Sequence, residues 1–238
     1  MDWTKLTDDP NNSAARSKVL QALLQRRAIH TDVDLEDYLV QRIGGKRVLD
    51  IGVVSHTMDY VTRKGWRHAI VAQHAAYCLG LDILEEPVRK LSELGYNVRV
   101  ADATSDADLG ERFDIVFIGD VVEHVDNPVS LLKFAGRHLA VGGSILVATP
   151  NPYSRKFYRR FRREGTSMVN LDHVAWITPS MALEIGRRAG LELVYYHLVK
   201  KDTAHPVTRI FRRLARRFAP IEFPFPDFLY EFRLPAAD

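Results

Sequence analysis

The stretch Arg47-Val48-Leu49-Asp50-Ile51-Gly52, continued by Val53-Val54-Ser55-His56-Thr57, limits the folds open to this chain more than any other. A short apolar run closed by an acid and a glycine is the pattern of a buried parallel strand that ends in a tight turn. Gly52 permits backbone angles that a side chain forbids, and it lets a ligand come close to the main chain. Open α/β sheets hold ligands beyond the carboxyl ends of their strands, where this turn would lie. Related runs follow at 78–83, at 97–101 before Asp102-Ala103, at 113–120, and at 144–149 after Gly142-Gly143. Helical stretches are expected between them, near 58–61, 69–77, 87–94 and 128–139, and again at 179–189 before a strand at 191–198. Strands alternating with helices predict a doubly wound, mostly parallel α/β sheet.

Before residue 46, Val19, Leu20, Leu23 and Leu24, then Leu35, Tyr38, Leu39 and Ile43, recur at helical spacing, with Gly44-Gly45 as a stop. The 238 residues suffice for one sizeable core with appendages. The expected organisation is therefore one compact domain: an N-terminal helical cap at 1–45, a core at 46–200, and a basic extension with an aromatic tail at 201–238. Hydrophobic residues at 46% and charged residues at 26% fit a soluble globular protein. The single cysteine, Cys78, excludes an internal disulfide, fits a reducing compartment and sits in an apolar run suited to packing. The N-terminus is too polar for a secretory signal and no apolar run is long enough to span a bilayer, so a cytoplasmic location is expected.

Three acids, Asp50, Asp82 and Asp102, fall at three successive strand ends. A carboxylate in the position of Asp82 can accept hydrogen bonds from both hydroxyls of a ribose. Asp102 is placed to accept from the exocyclic amine of an adenine, with Ile83 and Ala103 on either side of the ring. The alternative is that such acids only cap helices or turns.

The ordered set Val48-Leu49-Asp50-Ile51-Gly52, Gly80-Leu81-Asp82-Ile83, Phe113-Asp114-Ile115-Val116, Asp120-Val121-Val122-Glu123-His124-Val125 and Leu139-Ala140-Val141-Gly142-Gly143 resembles the class I S-adenosylmethionine-dependent methyltransferases. The segments Glu123-His124-Val125 with Asn127-Pro128 and Asp172-His173-Val174-Ala175-Trp176 are similar to the branch that methylates quinone precursors, sugars and other small hydroxylated substrates. The resemblance covers residues 46 to 198 and implies a seven-stranded Rossmann-like sheet. It implies S-adenosylmethionine as cofactor, contacted by Asp50, Gly52, Val54, His56, Asp82, Ile83, Asp102, Ala103, Asp120 and Val121. Val54 and His56 stand where the family carries its later glycines, and the long interval from Asp50 to Asp82 implies an insertion around 63–73.

Such a reaction displaces the sulfonium methyl in line, so the protein's main task is orientation. A hydroxyl nucleophile also gains from a base near neutral pH, which histidine supplies. His124, past the fourth of these runs, and His173, past the fifth, are the catalytic candidates. The alternative for either is a neutral histidine bonding a loop carbonyl. Glu123, Asp172, Tyr153 and Arg155 are expected on the acceptor side. No metal is assigned, although Asp120, His124, Asp172 and His173 could converge on a divalent ion.

Two segments are strongly basic. Residues 155–163 interleave Arg155, Lys156, Arg159, Arg160, Arg162 and Arg163 with aromatics. Residues 207–218 place Val207, Ile210, Phe211, Leu214 and Phe218 on one helical stripe, with arginine opposite. Both suit an anionic substrate or the inner face of a membrane; the alternative is a helix packed by its apolar stripe. The leading expectation is methyl transfer to a hydroxyl of a small-molecule or glycan-type acceptor, with nucleotide-, phosphate- and lipid-linked forms among the candidates. Two others stand beside it: an RNA or DNA methyltransferase, and a non-catalytic binding protein. Asp120-Val121-Val122-Glu123 lacks the proline-rich signature of nitrogen-methylating nucleic-acid enzymes, which disfavours the first. A dinucleotide oxidoreductase lacks its glycine turn. The sequence leaves a homo-oligomer open.

Overall fold

A computed structural model describes residues 1–55, 58–61, 65–201 and 219–236. Eight strands make one sheet: β1 (Arg27–His30), β2 (Arg47–Ile51), β3 (Tyr77–Asp82), β4 (Val98–Val100), β5 (Phe113–Gly119), β6 (Leu139–Pro150), β7 (Glu192–Val199) and β8 (Asp227–Arg233). Their spatial order is β1-β7-β8-β6-β5-β2-β3-β4. Every pairing is parallel except those of β8, which runs antiparallel between β6 and β7. The strand order reverses between β2 and β5, and the carboxyl ends on either side of that reversal open the crevice where such sheets bind ligands.

Alternation along the strands sorts the side chains onto two faces. Leu49, Ile51, Val116 and Ile118 turn toward α1 (Ser13–Arg26), α5 (Pro128–Arg137) and α7 (Pro179–Arg188). Val48, Ile115 and Phe117 turn toward α2 (Leu35–Ile43) and α3 (Arg67–His74). A smaller cluster of Val53, Tyr60, Trp66 and Leu91 ties the turn after β2 to α4 (Glu85–Glu93). Among the described residues no helix is long and apolar enough to cross a membrane.

Three expectations change. The sheet has eight strands rather than seven. The N-terminal region is not wholly helical, because Arg27–His30 leaves α1 and pairs in parallel with β7; a four-residue edge strand gives too short a pattern to separate from the helices around it. The aromatic tail is an interior strand rather than an appendage. Phe228, Tyr230 and Phe232 point to one face, Leu229 and Glu231 to the other, and all five are buried. The basic stretch at 207–218 lies outside the described residues, as does His56.

Asn151 locks the chain entering this strand to the end of β6. It is fully buried, and its Nδ2 donates to the carbonyls of Glu222 at 3.0 Å and Phe225 at 2.9 Å while its backbone N–H donates to Pro226. The backbone N–H of Arg155 donates to the carbonyl of Phe223. The start of α6 (Arg155–Glu164) is thereby fixed to the chain that enters β8.

Candidate active site

The loop after β2 turns at Gly52, whose φ is +85°. A Cβ there would stand 2.1 Å from Cγ2 of Val121, so only glycine fits between the β2 and β5 turns. Across the turn, Asp82 at the end of β3 accepts from the backbone N–H of Val54 at 2.9 Å through Oδ2 and from that of Leu84 at 3.1 Å through Oδ1. The carboxylate thus stands at the rim, holding the two loops that border it. Ile83 beside it is 64% exposed, an apolar surface at a strand end that a nucleoside base would cover. Asp102 is exposed and accepts from the N–H and hydroxyl of Thr104; these bonds hold its carboxyl below the usual range. Ala103 behind it is buried.

Asp50 does not join this rim. It shares the face of Val48, which α3 covers, and it is buried with Oδ2 2.8 Å from Nδ1 of His68. It ties α3 to β2 through His68, and of the three acids expected in register at the rim, Asp82 and Asp102 stand there. Cys78 packs as expected, and burial pushes its thiol well up.

The turn after β5 holds Asp120, Glu123 and the candidate His124. Asp120 has φ +54°, the only positive value among the described non-glycine residues, and its N–H donates to Ala148 at the end of β6. The turn brings Glu123 inward and His124 to the surface. Glu123 is 1% exposed; Oε2 accepts from Thr149 Oγ1 at 3.0 Å, and Oε1 has no hydrogen-bond partner among the described residues. Burial, aided by the charge of Asp120, pushes this carboxyl up to about 7. The carbonyl of Glu123 accepts from the N–H groups of Val174 and Ala175, which draws the loop carrying Asp172 and His173 against the β5 turn.

The two histidines meet there. Their ring centroids are 4.5 Å apart in an edge-to-face arrangement, and Nδ1 of His124 lies 3.0 Å from Oδ2 of Asp172. In a neutral imidazole the proton then sits on Nδ1 and Nε2 is the basic nitrogen. Ligand atoms of Glu123, His124 and His173 all fall within 4.8 Å of one another, a spacing that could hold a divalent cation.

Tyr153 and Arg155 belong to the segment after β6, whose helix α6 meets the loop beyond His173 where Phe157 packs edge-to-face on Trp176. Tyr153 is half exposed, and Arg155 opens α6, a helix with no buried residue. Arg155, Tyr158, Arg159, Arg162 and Arg163 line a basic groove of about 450 Å³ with Phe223. Two residues passed over in the sequence also reach the rim. Asp227 opens β8 opposite Pro150, and burial together with the charge of Asp120 pushes its carboxyl up to about 6. Arg67, the first residue of α3, bonds Asp120 from Nη1 at 2.6 Å. The interrupted glycine pattern gave no sign of it, because a helix first residue so far from Gly52 has no fixed relation to the turn.

A family model described as a methyltransferase domain matches residues 18–196. Among curated proteins, a ubiquinone biosynthesis O-methyltransferase from Cereibacter sphaeroides is 30% identical over 190 residues, which cover 74% of this chain and 71% of that protein. The protein of the same name from Pseudomonas fluorescens is 31% identical over 124 residues, and there the match spans only half of the relative. Two solved structures share the fold. A SAM-dependent methyltransferase from Archaeoglobus fulgidus aligns with TM-score 0.55 at 22% identity, over 83% of this chain and 90% of that one. The CcbJ methyltransferase from Streptomyces caelestis aligns with TM-score 0.56 at 15% identity, over 84% and 88%.

Proposed function

The chain belongs to the methyltransferase-domain family, and on that premise we propose that it moves a methyl group from S-adenosylmethionine to a hydroxyl of a small-molecule or glycan-type acceptor that carries an anionic group. The residues present fit the donor. Asp82 at the rim suits the ribose hydroxyls, exposed Ile83 and the loop of Asp102 suit the adenine, and the Gly52 turn gives a close backbone approach. Bound there, S-adenosylmethionine supplies an electrophilic sulfonium methyl. The protein's own residues supply the rest.

The observation that carries the reading is the His124–Asp172 pair beyond the end of β5. Asp172 orients the ring and stabilises the imidazolium that forms when Nε2 takes the acceptor's proton. The edge of His173 against His124 keeps the ring in that orientation. Such a base contributes about a hundredfold or more. The names of the curated relatives, which are O-methyltransferases, support a hydroxyl as the nucleophile. For the anionic group, the support is α6: six cationic side chains against the single acid Glu164, in a helix that buries none of its residues.

The test is transfer of labelled methyl from S-adenosylmethionine to paired acceptors, catechols and sugars with and without a phosphate. Transfer to hydroxyls that is faster with the phosphate is expected. Transfer only to nitrogen, or only to oligonucleotides, overturns the reading.

A further inference from the structure

We propose that Arg67 and Asp120 form a clamp for the amino-acid end of the donor, the guanidinium taking its carboxylate and the Asp120 carboxylate taking its ammonium. This rests on the preceding assignment of S-adenosylmethionine as donor. With the nucleoside at Asp82 and the sulfonium facing His124, the amino-acid arm has to cross the ends of β2 and β5, where Gly52 and Gly119 leave the backbone bare. Arg67 lies over that crossing, with Nη1 3.4 Å from where a Cβ on Gly119 would stand.

Three observations make the pair a receptor rather than a stray surface contact. First, Arg67 is held from both sides by its neighbours in the chain. Buried Trp66 donates from Nε1 to the carbonyl of Val53 at 3.2 Å, and buried His68 is bonded to Asp50 at 2.8 Å. The interrupted glycine loop therefore has a substitute anchor, and it delivers an arginine to the crevice. Second, the pair is open, with side chains 37% and 40% exposed. Among the described residues the guanidinium donates only to Asp120, through one of its five N–H groups, and Oδ1 of Asp120 accepts nothing. Third, Asp120 holds a left-handed backbone that costs free energy for a non-glycine residue. A half-exposed ion pair offsets little of that cost, whereas a ligand carrying both charges gains two charge-assisted hydrogen bonds at once.

The experiment compares two ligands by calorimetry. S-adenosylhomocysteine has the amino-acid arm; 5′-methylthioadenosine has the same nucleoside thioether without it. The wild-type protein should bind both. Arg67→Met should weaken S-adenosylhomocysteine about ten- to a hundredfold, the loss expected for hydrogen bonds to charged groups, and leave methylthioadenosine unchanged. Asp120→Asn, a residue that also tolerates positive φ, should do the same to a smaller degree, and Arg67→Lys should recover part of the loss. Equal weakening of both ligands, or none, overturns the clamp while leaving the donor in place. Wild-type protein that binds neither ligand overturns the donor assignment and the clamp with it.

Discussion

Two buried glutamates, Glu231 in β8 and Glu123 beyond β5, are each 1% exposed, yet the protein treats them in opposite ways. Glu231 accepts from Arg42 at 2.8 Å, His197 at 3.1 Å, Ser144 at 3.0 Å and Arg233 at 2.8 Å. Burial alone would raise its carboxyl, but the bonds from His197, Arg42 and Arg233 outweigh it and hold the group far below the usual range. Glu123 has one hydroxyl partner and a negative neighbour, and its carboxyl rises to about 7. The first is a saturated joint between α2, β6, β7 and β8. The second is left half-satisfied where the histidines gather. Between these two glutamates, full satisfaction goes with the scaffold and incomplete satisfaction with the candidate site.

The contrast can be broken most severely at Glu231. Glu231→Leu strands Arg42 and a neighbouring histidine in the interior, and a loss of about 3–5 kcal/mol is expected in urea unfolding. Next comes the site: His124→Ala should lower kcat about a hundredfold, close to 2.7 kcal/mol of barrier, with little change in the urea midpoint. A pH series then sharpens the contrast. Between 4.5 and about 7, the folded chain keeps a proton on Glu123 that the unfolded chain releases, so its contribution to stability falls as pH rises through that window. Glu231 works the other way, and its contribution is lost as pH falls below the ordinary carboxylate range. In chelating buffer, Glu123→Gln should remove the fall toward neutral pH, on the order of 2 kcal/mol. The smallest effect belongs to α6: Arg159→Gln with Arg163→Gln should change the urea midpoint by no more than about 0.5 kcal/mol, as surface substitutions do.

Much of this was legible in the chain. The runs ending at Ile51, Asp82, Gly119 and Pro150 are four of the parallel-paired strands, and each is an apolar stretch closed by turn residues. The placement of Asp50 was misread: its strand-end position drew it to the rim, although it shares a face with Val48, and the packing of α3 over that face shows that the turn begins at Gly52. β8 was obscured by Phe223-Pro224-Phe225-Pro226, which reads as broken tail although Phe228, Tyr230 and Phe232 alternate behind it. The pairing of His124 with Asp172 joins residues 48 positions apart through backbone bonds from Val174 and Ala175, and no local pattern encodes such a contact.

The interleaved strand β8 also sets the order in which the molecule can be completed during synthesis. Residues 139–150 and 192–199 leave the ribosome before 227–233, so two edges destined for one another's neighbourhood must wait apart until the spacer between them is translated. Until then both would be exposed to unwanted pairing, and the bonds from Asn151 to the chain entering β8 could not form. A nascent chain stalled before residue 227 should therefore carry the ends of β2, β3 and β5 in place beside a β6 edge that still lacks its partner.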